Sequence, residues 1–354
     1  MTELTILPPK YNFKTIEILE KTLKANIALS ELNGLIMSLQ DKSLILLPLT
    51  AREAVSSSGI ENIFSTTLDV LQNEVFKKDL EIDPATKETL RYKKALFFGF
   101  DLISNKKNLT TNDIVNIHNF VEPNKKGIRK LPGTVIAKSD GSVVHTPPQS
   151  EVEIRDLLAN LEKYINDESF SDNLDPLIKL AVTHYQFESI HPFYDGNGRV
   201  GRILMILEII LAGRLNFPCL FLSDYILQNR TEYYLGLQKV RSQNDWGTWV
   251  LYILDAIEKQ SIETSKKVRQ IIDLKAEFSL NIKTILPKMS SFTTLEYFFS
   301  NAFYTVNTLS QNMDITVKTA RNYLKILENS SILNQNTVKN QKLYFIPQLI
   351  EILK

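Results

Sequence analysis

Apolar side chains recur along most of this chain at the roughly 3.6-residue period of an amphipathic α-helix, and this periodicity constrains the fold more than any other feature. In residues 14–40 the apolar positions are Ile16, Ile18, Leu19, Leu23, Ile27, Leu29, Leu32 and Leu35. The same reading predicts helices over residues 65–78, 86–102, 111–119, 151–166, 175–190, 199–214, 228–241 and 246–273. Only 12 glycines and 13 prolines occur among 354 residues, which favours long regular elements. The predicted fold class is therefore mainly α.

Composition excludes several classes of function. Lys and Arg total 41 and Asp and Glu total 40, and the net charge of +1 excludes a protein that acts by bulk charge. A single cysteine, Cys219, excludes a disulfide framework and a cysteine-based metal cluster. His184 and His191 are seven residues apart and no His-Glu-x-x-His sequence occurs, which disfavours a zinc hydrolase.

No targeting or membrane-spanning segment is predicted. The N-terminus lacks a basic region followed by an apolar run, so a secretory signal is not expected. The most apolar stretch, residues 203–212, contains Glu208 and is shorter than the ~20 residues that a membrane helix needs. We therefore expect a cytoplasmic protein without a membrane partner. The sequence leaves the oligomeric state open, including a homodimer.

Residues 123–148 differ from the helical remainder because glycine and proline are concentrated there. Two short β-like pieces, residues 134–136 and 142–145, lie on either side of Asp140-Gly141, a dipeptide typical of hairpin turns. We predict a loop followed by a small β-hairpin. Downstream, Asp175-Pro176 is typical of a helix start, with Asp as N-cap and Pro in the first turn.

The segment from His191 to Arg202 reads HPFYDGNGRVGR and joins two predicted helices. Gly196 and Gly198 permit positive φ angles, so successive backbone N–H groups can converge on an anion. The next helix is predicted to start near Arg199, which adds free N–H groups and the positive end of the helix dipole. Arg199 and Arg202 share a face there, although cations at a helix N-terminus oppose the dipole. This combination predicts an anion that carries several charges.

Two further residues indicate what happens to that anion. Asp195 would repel a polyphosphate unless Mg²⁺ lies between them. His191 is a proton acceptor near neutral pH, and Pro192 is expected to hold it in extended backbone. Polyphosphate, Mg²⁺ and a base together indicate phosphoryl or nucleotidyl transfer to a hydroxyl. A dinucleotide fingerprint is rejected, although glycines at 196, 198 and 201 match its spacing, because the preceding segment is helical.

The loop matches the Fic family signature, His-Pro-Phe-x-Asp/Glu-Gly-Asn-Gly-Arg-x-x-Arg, at every defined position. Residues 6–9 and 25–34 also resemble the N-terminal region of one bacterial branch, and Asn229-Arg230, Tyr233-Tyr234 and Asp245-Trp246 resemble later family helices. The resemblance covers about residues 4–255. It implies a helical core with a β-hairpin flap. It also implies transfer of AMP from ATP to a Ser, Thr or Tyr hydroxyl of a protein, itself included, with release of pyrophosphate.

The resemblance also assigns roles to individual residues. His191 would be the general base, Asp195 would hold Mg²⁺, and Phe193 would anchor the loop in the core. Arg199 and Arg202 would bind the β- and γ-phosphates of ATP. The remaining ATP-binding candidates are Gly196, Asn197, Gly198, Val200, Gly201 and Tyr233.

An inhibitory motif of this family, Ser/Thr-x-x-x-Glu-Gly/Asn, matches Ser57, Glu61 and Asn62 within an expected inhibitory helix at about residues 52–64. A Glu61 carboxylate paired with Arg202 would occupy the room that a γ-phosphate needs. The alternative is that residues 58–61 form a capping box at a plain helix start. The flap would comprise Val143, Val144, His145 and Thr146, and an extended target segment could add to its edge through main-chain hydrogen bonds.

Three domains are expected: an N-terminal helical region (residues 1–105), a catalytic core (106–280) and a winged helix-turn-helix domain (281–354). In the last, Thr316 should cap a recognition helix whose Lys318, Arg321 and Lys325 face solvent. Residues 290–354 could thus bind DNA or a protein. The rival functions are a DNA-binding regulator with a Fic-like nucleotide sensor and a phosphotransferase.

Overall fold

The computed structural model describes residues 4, 6–39, 46–75, 82–137, 141–171 and 173–354. The N-terminal part of this described chain is helical, as the periodicity predicts. Its helices are α1 (Ile16–Met37), α2 (Thr50–Ile60), α3 (Thr67–Val75), α4 (Pro84–Lys106) and α5 (Thr111–Val121). The end of the helix predicted over residues 65–78 lies outside the described residues.

A small antiparallel hairpin follows, β1 (Ile136–Ala137) and β2 (Val143–His145), with an irregular register. Its predicted turn residue Asp140 lies outside the described residues. The central helices are α6 (Glu151–Asn166), α7 (Pro176–Ile190), α8 (Asn197–Leu211), α9 (Leu222–Gln228), α10 (Arg230–Gln243) and α11 (Trp246–Ile285). The predicted cap at Asp175-Pro176 is confirmed, since the Asp175 side chain accepts a hydrogen bond from the Leu177 N–H.

The C-terminal part contains α12 (Phe292–Ser300), α13 (Val306–Asn312), α14 (Val317–Asn329), β3 (Asn334–Val338), β4 (Gln341–Phe345) and α15 (Pro347–Leu353). The predicted order of three helices and a hairpin is present, and Thr316 caps α14 as expected. The sequence analysis missed α15. This helix packs on α11, where the Lys267 ammonium donates a hydrogen bond of 2.6 Å to the Ile352 carbonyl.

The core forms around α7 and α8, which pack against each other and are buried on almost every side. Both helices are apolar over most of their length, so neither can leave a face in water. Helices α4 and α5 cover α8, while α11 covers α7 and places Trp249 in the interior. The loop between α7 and α8 is therefore held from both sides by buried helices. Among the described residues, no helix is long and apolar enough to cross a membrane.

Gly99 lies where α4 packs tightly against side chains of α8 and α5. A Cβ atom at this position would lie 2.6 Å from Leu207 Cδ1 and 3.1 Å from Ile117 Cδ1. We predict that Gly99→Ala lowers the free energy of unfolding by about 1–3 kcal/mol through overpacking, despite the better helix propensity of alanine.

Gly34 is the matched control, because it is an exposed helical glycine with nothing near its Cβ position. Gly34→Ala should instead stabilise by about 0.5–1 kcal/mol. Urea denaturation measures both, and equal shifts would contradict the close packing.

Candidate functional site

The loop between α7 and α8 begins with a left-handed residue. His191 has φ 48° and ψ 60°, and its N–H closes α7 on the Phe187 carbonyl at 3.0 Å. The expectation that Pro192 keeps His191 extended is therefore wrong. A proline does disfavour right-handed helix at the preceding residue, so α7 ends there. Pro192 has no N–H to bond to α7, and in the left-handed conformation the His191 carbonyl instead accepts from Arg129 Nε at 2.8 Å.

Asn197 fixes the shape of the loop. Its side-chain oxygen accepts from the Phe193 N–H at 2.9 Å and its amide donates to the Phe193 carbonyl at 2.8 Å. Gly196 has φ 77°, which favours glycine, and α8 begins at Asn197 rather than near Arg199. The start of α8 and its unpaired N–H groups are thus held rigidly beside His191.

Phe193 lies fully buried under the loop and stacks on His118, with ring centroids 3.8 Å apart and an interplanar angle of 10°. His118 Nε2 also donates to the Asp195 carbonyl at 3.0 Å. Sequence reasoning did not identify His118. The residue lies on α5, more than seventy positions before the loop, and a histidine on a helix has no local pattern that would mark it.

The imidazole of His191 is neutral at physiological pH. Burial, and after it the neighbouring Arg129 guanidinium, lower its pKa to about 4 against the opposing effects of the Glu188 backbone carbonyl and the Glu61 carboxylate. A neutral imidazole can accept a proton. The structure therefore places a proton acceptor at the entry to the loop, in the protonation state that a base requires.

Arg202 is almost completely buried, with 1% of its side chain exposed, and three hydrogen bonds hold it. Nε donates to Ser57 Oγ at 2.8 Å, and Nη2 donates to the Ser57 carbonyl and to Glu61 Oε1, both at 2.9 Å. Glu61 Oε1 lies directly over the loop, because a Cβ atom on Gly198 would approach it to 2.3 Å. The carboxylate thus occupies the space above the start of α8.

Helix α2 carries these contacts at its C-terminal end. Glu61 is the residue after the last helical position, and Asn62 follows with φ 61°. The alternative in which residues 58–61 start a helix is therefore wrong, since the helix ends there. Asn62 Oδ1 accepts from Arg230 Nη1 at 3.1 Å, which ties the end of α2 to α10.

Arg199 is placed differently from Arg202. Its guanidinium is buried and pairs with Glu88 at 3.2 Å and with Glu122 at 3.5 Å, on α4 and directly after α5. The neighbouring Val200 is fully buried in the core. Gly201 lies against the Glu188 side chain, because its Cβ position is 2.3 Å from Glu188 Oε1. Arg199 thus also links α8 to α4 and α5, a role that sequence reasoning did not anticipate.

Asp195 is half-exposed at the rim of the loop. Lys125 donates to its carboxylate at 2.6 Å, and the Gly196 N–H donates at 2.7 Å. Partial burial alone would raise its pKa, but these two donors lower the pKa below the ordinary value, so the group is ionised. In the described part of the chain, no cluster of three or more His, Cys, Asp or Glu side chains could hold a metal ion. Any cation at Asp195 would need ligands from elsewhere, as from phosphate oxygens.

Tyr233 lies in an aromatic cluster rather than on an open surface. Its hydroxyl is hydrogen-bonded to His184 Nε2 at 2.8 Å, and its ring centroid lies 5.6 Å from that of Trp249. Among the flap residues, Val143 is exposed, whereas Val144, His145 and Thr146 are half-buried. His145 Nε2 donates to the Ser189 carbonyl at 2.8 Å, which attaches the hairpin to α7 close to His191.

Comparisons with known proteins agree with this geometry. The model of the Fic/DOC family matches residues 108–209, and the model of the Fic/DOC family N-terminal region matches residues 19–101. The first model covers the loop between α7 and α8, and the second covers α2 and Glu61. The chain belongs to the Fic/DOC family.

Two relatives carry the name protein adenylyltransferase Fic. The protein from Drosophila willistoni is 35% identical over 115 residues, which is 32% of this chain and 21% of the relative. The protein from Drosophila ananassae is 29% identical over 154 residues, which is 44% of this chain and 29% of the relative. The matched region thus spans less than a third of the length of these relatives.

Solved structures share the fold. A Fic family protein from Desulfovibrio desulfuricans superposes with a TM-score of 0.61 at 20% identity, covering 96% of this chain and 98% of that one. A Fic domain containing signalling protein from Bacteroides thetaiotaomicron gives a TM-score of 0.56 at 18% identity, covering 70% and 97%. The first similarity extends over nearly the whole chain, including the C-terminal helices and hairpin.

Proposed function

We propose that this protein transfers AMP from ATP to a hydroxyl group of a target protein. The observation that carries the proposal is the position of His191, whose neutral imidazole lies beside the start of α8. The Glu61 carboxylate occupies the space above that helix start. Arg202 already binds one carboxylate, and the backbone N–H groups at the start of α8 can bind further negative charge. Such a site suits a polyphosphate. The names of the Drosophila relatives support the same reaction. Incubation with Mg-ATP followed by intact-mass measurement, on the protein itself and on lysate proteins, tests it.

In the proposed reaction the target hydroxyl oxygen bonds to the α-phosphorus of ATP. The bond between that phosphorus and the oxygen bridging to the β-phosphate breaks, and pyrophosphate leaves with the bonding electron pair. His191 accepts the hydroxyl proton, so the oxygen does not keep that proton and a positive charge after it bonds to phosphorus. The N–H groups at the start of α8 and the Arg202 guanidinium would stabilise the phosphate charges. An extended target segment paired with the flap would bring its hydroxyl to His191.

Three candidate roles need more than the loop provides. Mg²⁺ would reduce the repulsion between Asp195 and the phosphates, and the ionised, half-exposed Asp195 carboxylate suits it as a single protein ligand. Arg199 also lies 3.8 Å from the Asp195 carboxylate at the loop, where a phosphate would compete with its contacts to Glu88 and Glu122. Tyr233 is buried and its hydroxyl is bonded to His184, so a contact with the nucleotide would require that bond to be exchanged. We retain these three assignments as parts of the proposal.

We further propose that the wild-type protein is autoinhibited. The Glu61 carboxylate holds Arg202 and lies above Gly198, where a terminal phosphate would otherwise bind. A second anion there would be repelled, so ATP could bind only in a displaced position. Ser57 shares Arg202 with Glu61 and would keep it in place when Glu61 moves away.

The C-terminal part supports a second candidate function, in which the same site senses nucleotide for a DNA-binding regulator. The specific observation is that Lys318, Arg321 and Lys325 are all exposed on one face of α14. From residue 284 to the end there are seven Lys or Arg and four Asp or Glu, a net charge of +3. Sequence-specific retardation of duplex DNA without AMP transfer would favour this function. In either case we expect the protein to act in the cytoplasm.

Replacement of His191 should abolish AMP transfer while ATP still binds, because the phosphate contacts belong to other residues. We predict a loss of about 10²–10⁴-fold for His191→Ala. His191→Asn is the matched variant, since asparagine tolerates the left-handed backbone observed here and keeps the end of α7 intact. Intact-mass kinetics give the rate and calorimetry gives the ATP affinity. Transfer within threefold of wild type in both variants would remove His191 from the mechanism.

Removal of the Glu61 carboxylate should accelerate transfer. A hydrogen bond between charged groups contributes about 1.5–3 kcal/mol, so Glu61→Gly should raise auto-AMPylation by roughly 10- to 100-fold. Glu61→Gln keeps the side-chain volume without the charge and should fall between the two. Combining Glu61→Gly with Arg202→Ala should cancel the gain. A Glu61→Gly protein with a lower melting temperature and unchanged activity would restrict Glu61 to a structural role.

The ion pair between Lys125 and Asp195 predicts how the protein responds to magnesium. Lys125 occupies the carboxylate that Mg²⁺ would use, so Lys125→Ala should lower the Mg²⁺ concentration needed for half-maximal transfer. Asp195→Ala should raise it, and excess Mg²⁺ should restore activity only in part. Lys126→Ala is the control, an exposed lysine one position away. Activity that is unaffected by EDTA would refute the metal role.

A further inference from the structure

Arg129 is a buried arginine that lies between the flap and His191, with 1% of its surface exposed. Its Nε donates to the His191 carbonyl at 2.8 Å, and Nη2 donates to the Ile190 carbonyl at 3.4 Å. Nη2 also donates to the carbonyl of Pro148, three residues beyond the end of β2. One guanidinium therefore holds both the last turn of α7 and the returning end of the flap.

The backbone around Arg129 adds to this attachment. The Arg129 N–H donates to the Pro192 carbonyl at 2.9 Å. The N–H groups of Lys130 and Leu131 both donate to the Tyr194 hydroxyl, at 3.0 and 3.2 Å. Residues 129–131 thus run alongside the start of the loop before the chain enters the flap. The two chain segments that flank the flap are both fixed to the residues that carry the proposed base.

The charge of Arg129 has a second effect. The Glu153 carboxylate acts on it through its charge without forming an ion pair among the described residues, and the carbonyl dipoles at the negative end of α7 compensate the cation further. The groups whose charge or titration acts on the His191 ring are Arg129, Glu61 and His145, together with the Glu188 backbone carbonyl. Of these, Arg129 opposes protonation of His191 most strongly after burial itself.

We propose that Arg129 is a positioning residue for the reaction: it holds His191 and the base of the flap in a fixed relative position. Its positive charge also disfavours protonation of the imidazole, in addition to burial. This inference rests on the proposed AMP transfer. A base misplaced by about 1 Å can lose on the order of 10²-fold in rate, and the flap would deliver the hydroxyl that His191 must reach. Arg129 touches neither substrate, so its loss should lower kcat and leave the KM for ATP nearly unchanged.

Two variants separate the geometric and the electrostatic contributions. Arg129→Lys keeps the positive charge but has one ammonium in place of a planar fork that reaches three carbonyls. Arg129→Gln removes the charge. Arg155→Gln is the matched control, because Arg155 is an exposed arginine on α6 that pairs with Glu151, one turn away. Circular dichroism and melting temperature establish that each variant folds.

The decisive readout is the titration of His191, followed by NMR on protein with ¹⁵N-labelled histidine and assigned through the missing signal of His191→Asn. In Arg129→Gln the His191 pKa should move up from about 4 toward its ordinary 6.5, by on the order of one unit. In Arg129→Lys it should stay near the wild-type value while kcat falls at least tenfold. The control should change neither quantity.

The outcomes are distinguishable from failure of the proposed function. An unmoved His191 titration in Arg129→Gln, or a wild-type kcat in Arg129→Lys, would overturn the role of Arg129. Absence of AMP transfer by the wild type would instead overturn the proposed function, and the titration would still be measurable. If Arg129→Gln does not fold, Arg129→Ala with added guanidinium ion replaces it. Recovery of activity with the ion supports positioning, and a folded protein without recovery refutes it.

Discussion

The buried charge of Arg202 is the constraint on which the candidate site depends. A cation with 1% of its side chain exposed requires compensation, because an unpaired charge in a protein interior costs several kcal/mol. Ser57 supplies two acceptors and Glu61 supplies the negative charge. The end of α2 therefore lies where Arg202 requires an anion. Arg202 therefore contributes to the position of α2, together with the apolar contacts of that helix.

This requirement couples the two anions that we assign to the site. If Glu61 leaves, Arg202 loses its counter-charge and a hydrogen bond between charged groups, which typically contributes about 1.5–3 kcal/mol. Glu61 is more exposed than Arg202, with 37% of its side chain in solvent. Breaking the pair therefore costs less free energy at the carboxylate, which water can solvate, than at the buried guanidinium. A phosphate group that reaches Arg202 would restore the balance. In this account the nucleotide and the helix compete for one cation.

The sequence predicts local structure well and long-range contacts poorly. The caps at Asp175 and Thr316 follow from residues that are neighbours in the chain, and the structure confirms them. The left-handed His191 was missed because the proline rule describes only which conformation is avoided, not which one the end of α7 adopts. Partners far along the chain, such as His118 beneath Phe193, Glu88 beside Arg199 and Arg129 behind His191, carry no periodic signal. These partners are brought together only by the packing of the helices that carry them.

The central claim is that the α-phosphorus of ATP, rather than the γ-phosphorus, is transferred to protein. Parallel incubations of the Glu61→Gly protein with Mg-ATP labelled at either phosphate test it most directly, with His191→Asn introduced into the same protein as the blank. The account predicts that label from α-³²P-ATP becomes covalently attached to protein, that label from γ-³²P-ATP does not, and that the blank carries neither. Attachment of the γ label alone would show a phosphotransferase and contradict the account.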